Sequence, residues 1–173
     1  QKEIQERRCA GRVEELNGPG LKERFERIYA ANLWSDTDSR SGVGSTLDST
    51  RVLRAELPNA LRQLEARVLL DVPCGDFTWM EQVDLSGIEY IGGDIVPSIV
   101  ERNRRLQEHT SRKFMDIDLT RDALPKADVL LCPHALVPLS SRNIRRVLDN
   151  VSLSDSPSPP RTSSSVPGRR HAC

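Results

Sequence analysis

Val68-Leu69-Leu70-Asp71-Val72-Pro73-Cys74-Gly75-Asp76 is an apolar run that ends in an acid and then breaks into a Pro-Cys-Gly-Asp turn. A second run, Ile88-Glu89-Tyr90-Ile91-Gly92-Gly93-Asp94, also ends in an acid. Two such strands with a helix between them build a nucleoside pocket at the C-terminal edge of an α/β sheet. The first turn lets backbone approach the ligand, and the second acid is placed to take the two ribose hydroxyls. The chain therefore reads first as a binder of a nucleoside cofactor.

Working outward, strands and helices alternate. Residues 67–72 read as strand one, 89–92 as strand two, 113–117 as strand three and 128–132 as strand four, with a short helix around 79–83. Pro97 opens a helix carrying Ile99, Val100, Asn103 and Leu106, and a last helix starts at Ser141 with Ile144, Val147, Leu148 and Val151 on it. Ahead of strand one, Leu47, Leu53, Leu57, Leu61 and Leu64 mark a helix that Pro58 should kink or split. Ser45 with Asp48 reads as its capping box. Leu21, Phe25, Ile28 and Tyr29 suit a short amphipathic helix, and 34–45 is a glycine-containing polar loop. The alternation predicts an α/β fold, a Rossmann-like, doubly wound, mostly parallel sheet in three αβα layers.

The chain has 173 residues and zero formal net charge, which gives no electrostatic case for nucleic acid or an anionic membrane. No apolar stretch approaches a bilayer span. The charged start, Gln1 to Arg8, has no apolar core of a signal peptide. Four scattered cysteines without a C-x-x-C pair predict a reduced, cytoplasmic protein with neither a disulfide framework nor a zinc knuckle. The expected organisation is an N-terminal helical cap segment over 1–45, a cofactor-binding domain over 46–151 and a tail over 152–173. That tail holds seven serines and four prolines and reads as disordered. Its composition is that of a translated shifted frame, and the sheet is expected to lack its C-terminal strands.

Four motifs in order resemble a class I S-adenosylmethionine-dependent methyltransferase, in particular a bacterial-type group. They are Trp34 followed by Ser39-Arg40-Ser41-Gly42-Val43-Gly44-Ser45, then Leu69 to Met80, then Tyr90 to Val96, then Asp118-Leu119-Thr120 through Cys132. The resemblance implies a seven-stranded sheet and S-adenosylmethionine as cofactor, with a methyl acceptor it leaves unidentified. It implies that Asp71, Pro73, Cys74, Gly75 and Asp76 surround the methionine part, that Asp94 with Ile95 holds the ribose, and that Asp118 sits near the adenine. Arg40 would cap the cofactor carboxylate together with the amides of the glycine loop. At the end of strand four the family's C-R-D-x-L-V-H-L is replaced by Cys132-Pro133-His134-Ala135-Leu136-Val137-Pro138-Leu139. The Arg, Asp and His that lie beside the transfer site in such enzymes are thus Pro133, His134 and Pro138.

Each residue also has a plainer reading. Asp94 could cap the helix opened by Pro97, Asp76 could be an exposed turn carboxylate, Asp118 a surface acid and Arg40 part of a linker. Trp79 reads as core, Cys132 and His134 as structural, and Arg102, Arg104 and Arg105 as a solvated helix face. Two other functions compete. A nicotinamide-dependent oxidoreductase would want G-x-G-x-x-G at the first turn, where this chain has one glycine. A truncated, non-catalytic copy of the methyltransferase would keep the first half of the fold without its chemistry.

Overall fold

A computed structural model describes residues 20–34 and 38–154 of the chain. Four strands form one sheet: β1 (Val68–Asp71), β2 (Glu89–Asp94), β3 (Arg112–Asp116) and β4 (Val129–Leu131), in the order β3-β2-β1-β4. All three pairings are parallel. Four α-helices accompany them: α1 (Leu21–Ala30), α2 (Arg51–Gln63), α3 (Pro97–Gln107) and α4 (Ser141–Ser154). Short 3-10 turns occupy Val43–Ser45 and Met80–Gln82.

The pleat sorts side chains onto two faces. Leu69 and Tyr90 join Leu57 and Leu61 of α2 and Val100 of α3 in one core. Leu70 and Val72 face Val147 of α4, with Ile91 and Leu130 packed alongside. Helices therefore cover both faces, giving the expected three layers. The fully buried aliphatic side chains each contribute roughly 1.5–3 kcal/mol. Three aromatics anchor the first core, with Phe77 centred 5.2 Å from Tyr90 and 5.3 Å from Phe114, edge to face. The glycine pair in β2 follows from this packing. A Cβ on Gly92 would come within 2.7 Å of the Phe114 ring, and one on Gly93 within 2.8 Å of Val72.

Several expectations need correction. Ser45 does not cap α2. Thr46 closes that turn instead, its hydroxyl accepting from the Ser49 amide at 3.1 Å, and the helix begins at Arg51. Pro58 lies within α2 without splitting it. Leu64 is largely exposed, because the helix ends before it. β2 runs two residues beyond its expected end, to Asp94 itself. Arg102 and Arg104 are not simply solvated: they donate to the carbonyls of Asp76 at 2.9 Å and Phe114 at 2.9 Å. α4 extends to Ser154, so the first three residues assigned to the tail are helical. The rest of the tail, and residues 1–19 of the cap segment, lie outside the described residues. No helix among the described residues is long and apolar enough to cross a membrane.

Candidate functional site

The strand order reverses between β1 and β4, because β2 and β3 lie to one side of β1 and β4 to the other. At such a switch point the loops after adjacent strands part and leave a crevice at the carboxyl ends. A cavity of about 260 Å³ lies there. All four strand ends contribute to it: Val72 to Gly75 after β1, Asp94 to Val96 after β2, Ile117 to Thr120 after β3, and Pro133 to Ala135 after β4.

The first turn is held from behind. Its Val72–Pro73 peptide is cis, and Gly75 has φ +56° in the left-handed region, where a side chain is strained. The Cys74 amide donates to the Gly93 carbonyl at 2.8 Å. Fully buried Asn103 donates its side-chain amide to the Gly75 carbonyl at 2.8 Å. α3 thus clamps the turn through Asn103 and Arg102.

Asp94 ends β2 on the cavity floor and is 4 % exposed. One carboxylate oxygen accepts from the Gly75 amide and the other from the Val96 amide, both at 3.0 Å. Burial raises its pKa to about 6 against the pull of those amides. The plainer reading of Asp94 is half right: it satisfies the Val96 amide ahead of α3, but the N-cap position is Val96. Two amides leave free acceptor positions on a carboxylate. Asp118 is also buried at the cavity edge, and its carboxylate takes the Thr120 amide at 2.9 Å and hydroxyl at 2.7 Å, with Arg121 at 3.1 Å. Asn150 of α4 fixes this loop through the Leu119 and Asp122 carbonyls.

Of the residues expected at the site, Pro73, Cys74, Gly75, Asp94, Ile95 and Asp118 line the cavity. Asp71, Asp76 and Arg40 do not. Asp71 lies beneath the turn, 1 % exposed. One of its oxygens accepts the Tyr90 hydroxyl at 2.8 Å and the other has no partner. Burial lifts its pKa to about 7. Asp76 is buried rather than exposed, and binds the 39–41 loop to the first turn. It accepts from the Ser39 hydroxyl at 2.9 Å and the Arg40 amide at 2.8 Å, while its own amide donates to the Ser41 hydroxyl at 2.9 Å. The Arg40 guanidinium lies 5.2 Å from the centre of the Tyr29 ring and donates to the Ala30 carbonyl, so it braces α1 instead of reaching over the cavity. Asp76→Ala would leave those donors unpaired in a buried setting, and we expect a loss of roughly 3 kcal/mol in the urea unfolding free energy. A loss below about 1 kcal/mol would show that the loop does not depend on this carboxylate.

α1 is the amphipathic helix expected from its spacing, and it roofs the cavity, a role its spacing does not encode. Phe25, Tyr29 and Trp34 all line it. Tyr29 packs with Val96 and Ile99, and Arg24 donates to the Pro138 carbonyl across the opening. Three aromatics clustered on one short segment were the available signal. Trp79 is core as expected, and it also borders the cavity. Cys132 packs against the second core, and burial pushes its thiol up to about 11. His134 was read as structural, yet it stands exposed at the cavity. Among the described residues, no lysine or arginine lines the cavity, although Arg24 stands at its opening. Its buried charges are acidic, so it suits hydroxyl, amine or cationic groups and not phosphates.

No family model and no curated protein sequence matches the chain. Solved structures do. Human N-acetylserotonin methyltransferase in complex with S-adenosylmethionine superposes with a TM-score of 0.60 at 16% identity, over 86% of this chain and 44% of that one. An S-adenosylmethionine-bound amino pentose methyltransferase from Micromonospora echinaspora, involved in calicheamicin biosynthesis, gives 0.51 at 21% identity, over 61% of this chain and 46% of that one. The fold is therefore the Rossmann-like α/β fold found in these methyltransferases. The chain spans less than half the length of either neighbour.

Proposed function

We propose that the chain binds S-adenosylmethionine in the switch-point cavity and is a class I methyltransferase domain. The observation that carries this reading is Asp94: a buried carboxylate at the tip of β2, facing a cavity that no lysine or arginine lines among the described residues. Its unused acceptor positions suit the paired hydroxyls of a ribose. The Pro73–Gly75 turn would hold the methionine part and the Asp118–Thr120 loop the adenine edge. When bound, the cofactor supplies a methyl group on a cationic sulfonium, which a cavity bordered by buried acids favours. The chain supplies alignment and exclusion of water, and α1 with the Arg24 contact to Pro138 serves the second purpose.

The same lining argues against a dinucleotide. A pyrophosphate would stand beside Asp94 with no arginine, no lysine and one glycine at the turn. The test is calorimetric titration of the full chain with S-adenosylhomocysteine and, separately, with NAD. Saturable heat with the first and none with the second is the expected result. Heat with NAD alone, or with neither ligand while circular dichroism shows a folded chain, overturns the reading.

A further inference from the structure

Resting on the methyltransferase reading, we propose that the face of the cavity between α1 and the loop after β4 takes a small, uncharged aromatic hydroxyl compound as methyl acceptor, with His134 as the base that removes its proton. Size and polarity come from the lining. Leu21, Phe25, Trp34, Leu53, Pro138 and Leu139 form an apolar, partly aromatic wall. Phe25 and Trp34 sit 6.3 Å apart and tilted at 52°, offering ring faces and edges to a planar guest. The cavity's buried charges are Asp94 and Asp118, and the Arg24 guanidinium at its opening is turned onto the Pro138 carbonyl and the Phe25 ring, which disfavours an anionic acceptor. The roof made by α1, fixed at Tyr29 and at Arg24, limits the acceptor to a small molecule.

The choice of base comes from elimination among the lining side chains. Asp94 and Asp118 are the acids that the cofactor reading gives to the ribose and the adenine edge, and Asp118 is also paired with Arg121 at 3.1 Å. Burial pushes the Cys74 thiol well above its ordinary range and raises Tyr29. The His134 ring makes no hydrogen bond among the described residues, and imidazole is the commonest general base. Its placement is specific. His134 has φ +56°, a left-handed conformation uncommon for a side chain with a Cβ, and such backbone concentrates at functional sites. The ring rests on Gly44, where an added Cβ would come 3.0 Å from its Cδ2. The imidazole accepts the hydroxyl proton while the oxygen's electron pair forms the bond to the methyl carbon. The carbon–sulfur pair stays with sulfur, leaving S-adenosylhomocysteine, the aryl methyl ether and an imidazolium that returns its proton to solvent.

The test uses the full chain, wild type and His134→Gln. Calorimetry with S-adenosylhomocysteine comes first, then titration of that complex with naphthol and with naphthoate, then turnover of naphthol with S-adenosylmethionine. Naphthol is expected to bind at least about tenfold more tightly than naphthoate. The variant is expected to keep both affinities within about threefold and to lose about 100-fold or more of turnover. Equal binding of naphthoate, no binding of naphthol to a complex that forms, or wild-type turnover in the variant each overturns the proposal. A folded chain that does not bind S-adenosylhomocysteine at all overturns the cofactor reading instead, and the proposal with it.

Discussion

Asp94→Asn is expected to bind S-adenosylhomocysteine about 100-fold more weakly than the wild type, or worse. Two ribose hydroxyls donating to one carboxylate make hydrogen bonds of the charge-assisted kind, each worth roughly 1.5–3 kcal/mol. The substitution also disturbs the receiving turn. Asp94 accepts the Gly75 and Val96 amides on different oxygens; asparagine has one oxygen, so its amide nitrogen must oppose one of those donors. Melting curves on the same samples separate this local cost from global unfolding. A second signature identifies the carboxylate by its charge. With a pKa raised to about 6 by burial, Asp94 is mostly protonated at pH 5, and a proton then competes with the ribose. The wild-type affinity is therefore expected to fall about tenfold between pH 7 and pH 5, and the variant to lack that dependence. Affinity within threefold of wild type in a folded variant would remove Asp94 from the ribose site.

The strand ends were legible because a parallel sheet prints itself as apolar runs that stop at an acid. Asp71 and Asp94, the acids that close the two apolar runs, terminate β1 and β2, against expected strand ends at 72 and 92. What the run could not show is which acid faces the cavity. Asp71 is the last residue of β1 and turns beneath the sheet edge to meet Tyr90. The residues after it, Val72 to Gly75, reach the cavity instead. Asp76 and Arg40 were ambiguous for another reason. Both lie in polar turns, where ligand contacts and loop-tying contacts have the same composition. Only the third dimension brings the Ser39 hydroxyl and Arg40 amide onto Asp76 across 36 and 37 positions of sequence. Periodicity likewise overran at α2, since Leu47 and Leu64 continue the apolar spacing beyond the helix ends and stay partly or largely exposed. His134 stood out only as a departure, replacing the Asp of the strand-four motif. Its interest lies in a left-handed backbone and a neighbour ninety residues earlier, Gly44, and spacing encodes neither.

The ligand-free protein is expected to lose stability as pH rises from about 5 to 8, against the usual rise toward neutrality. Asp71 and Asp94 are both buried at the sheet edge; burial raises both, the Asp94 charge adds to the shift of Asp71, and the Asp76 charge adds to that of Asp94. Their folded pKa values, about 7 and about 6, lie above the ordinary value of 3.8. The native state therefore binds more protons than the unfolded chain in this window. Stability is full below pH 4, where both states are protonated, and is lost as pH rises through the folded values. For Asp71 alone the shift corresponds to roughly 4 kcal/mol; the two acids titrate as a coupled pair, so their effects do not add. Hydrogen bonds hold the pKa of exposed Asp84 and Asp128 below the ordinary value. Their contribution has the opposite sign and disappears on acidification, which places the maximum near pH 4. Asp71→Asn tests the assignment. Its oxygen can still accept the Tyr90 hydroxyl, and its neutral amide replaces an oxygen that has no partner. Urea unfolding should find the variant more stable than wild type at pH 8, with most of the pH slope gone. A wild-type slope that rises toward pH 8, or an unchanged slope in the variant, would mean that Asp71 is ionised in the folded protein and has a counter-charge the structure does not provide.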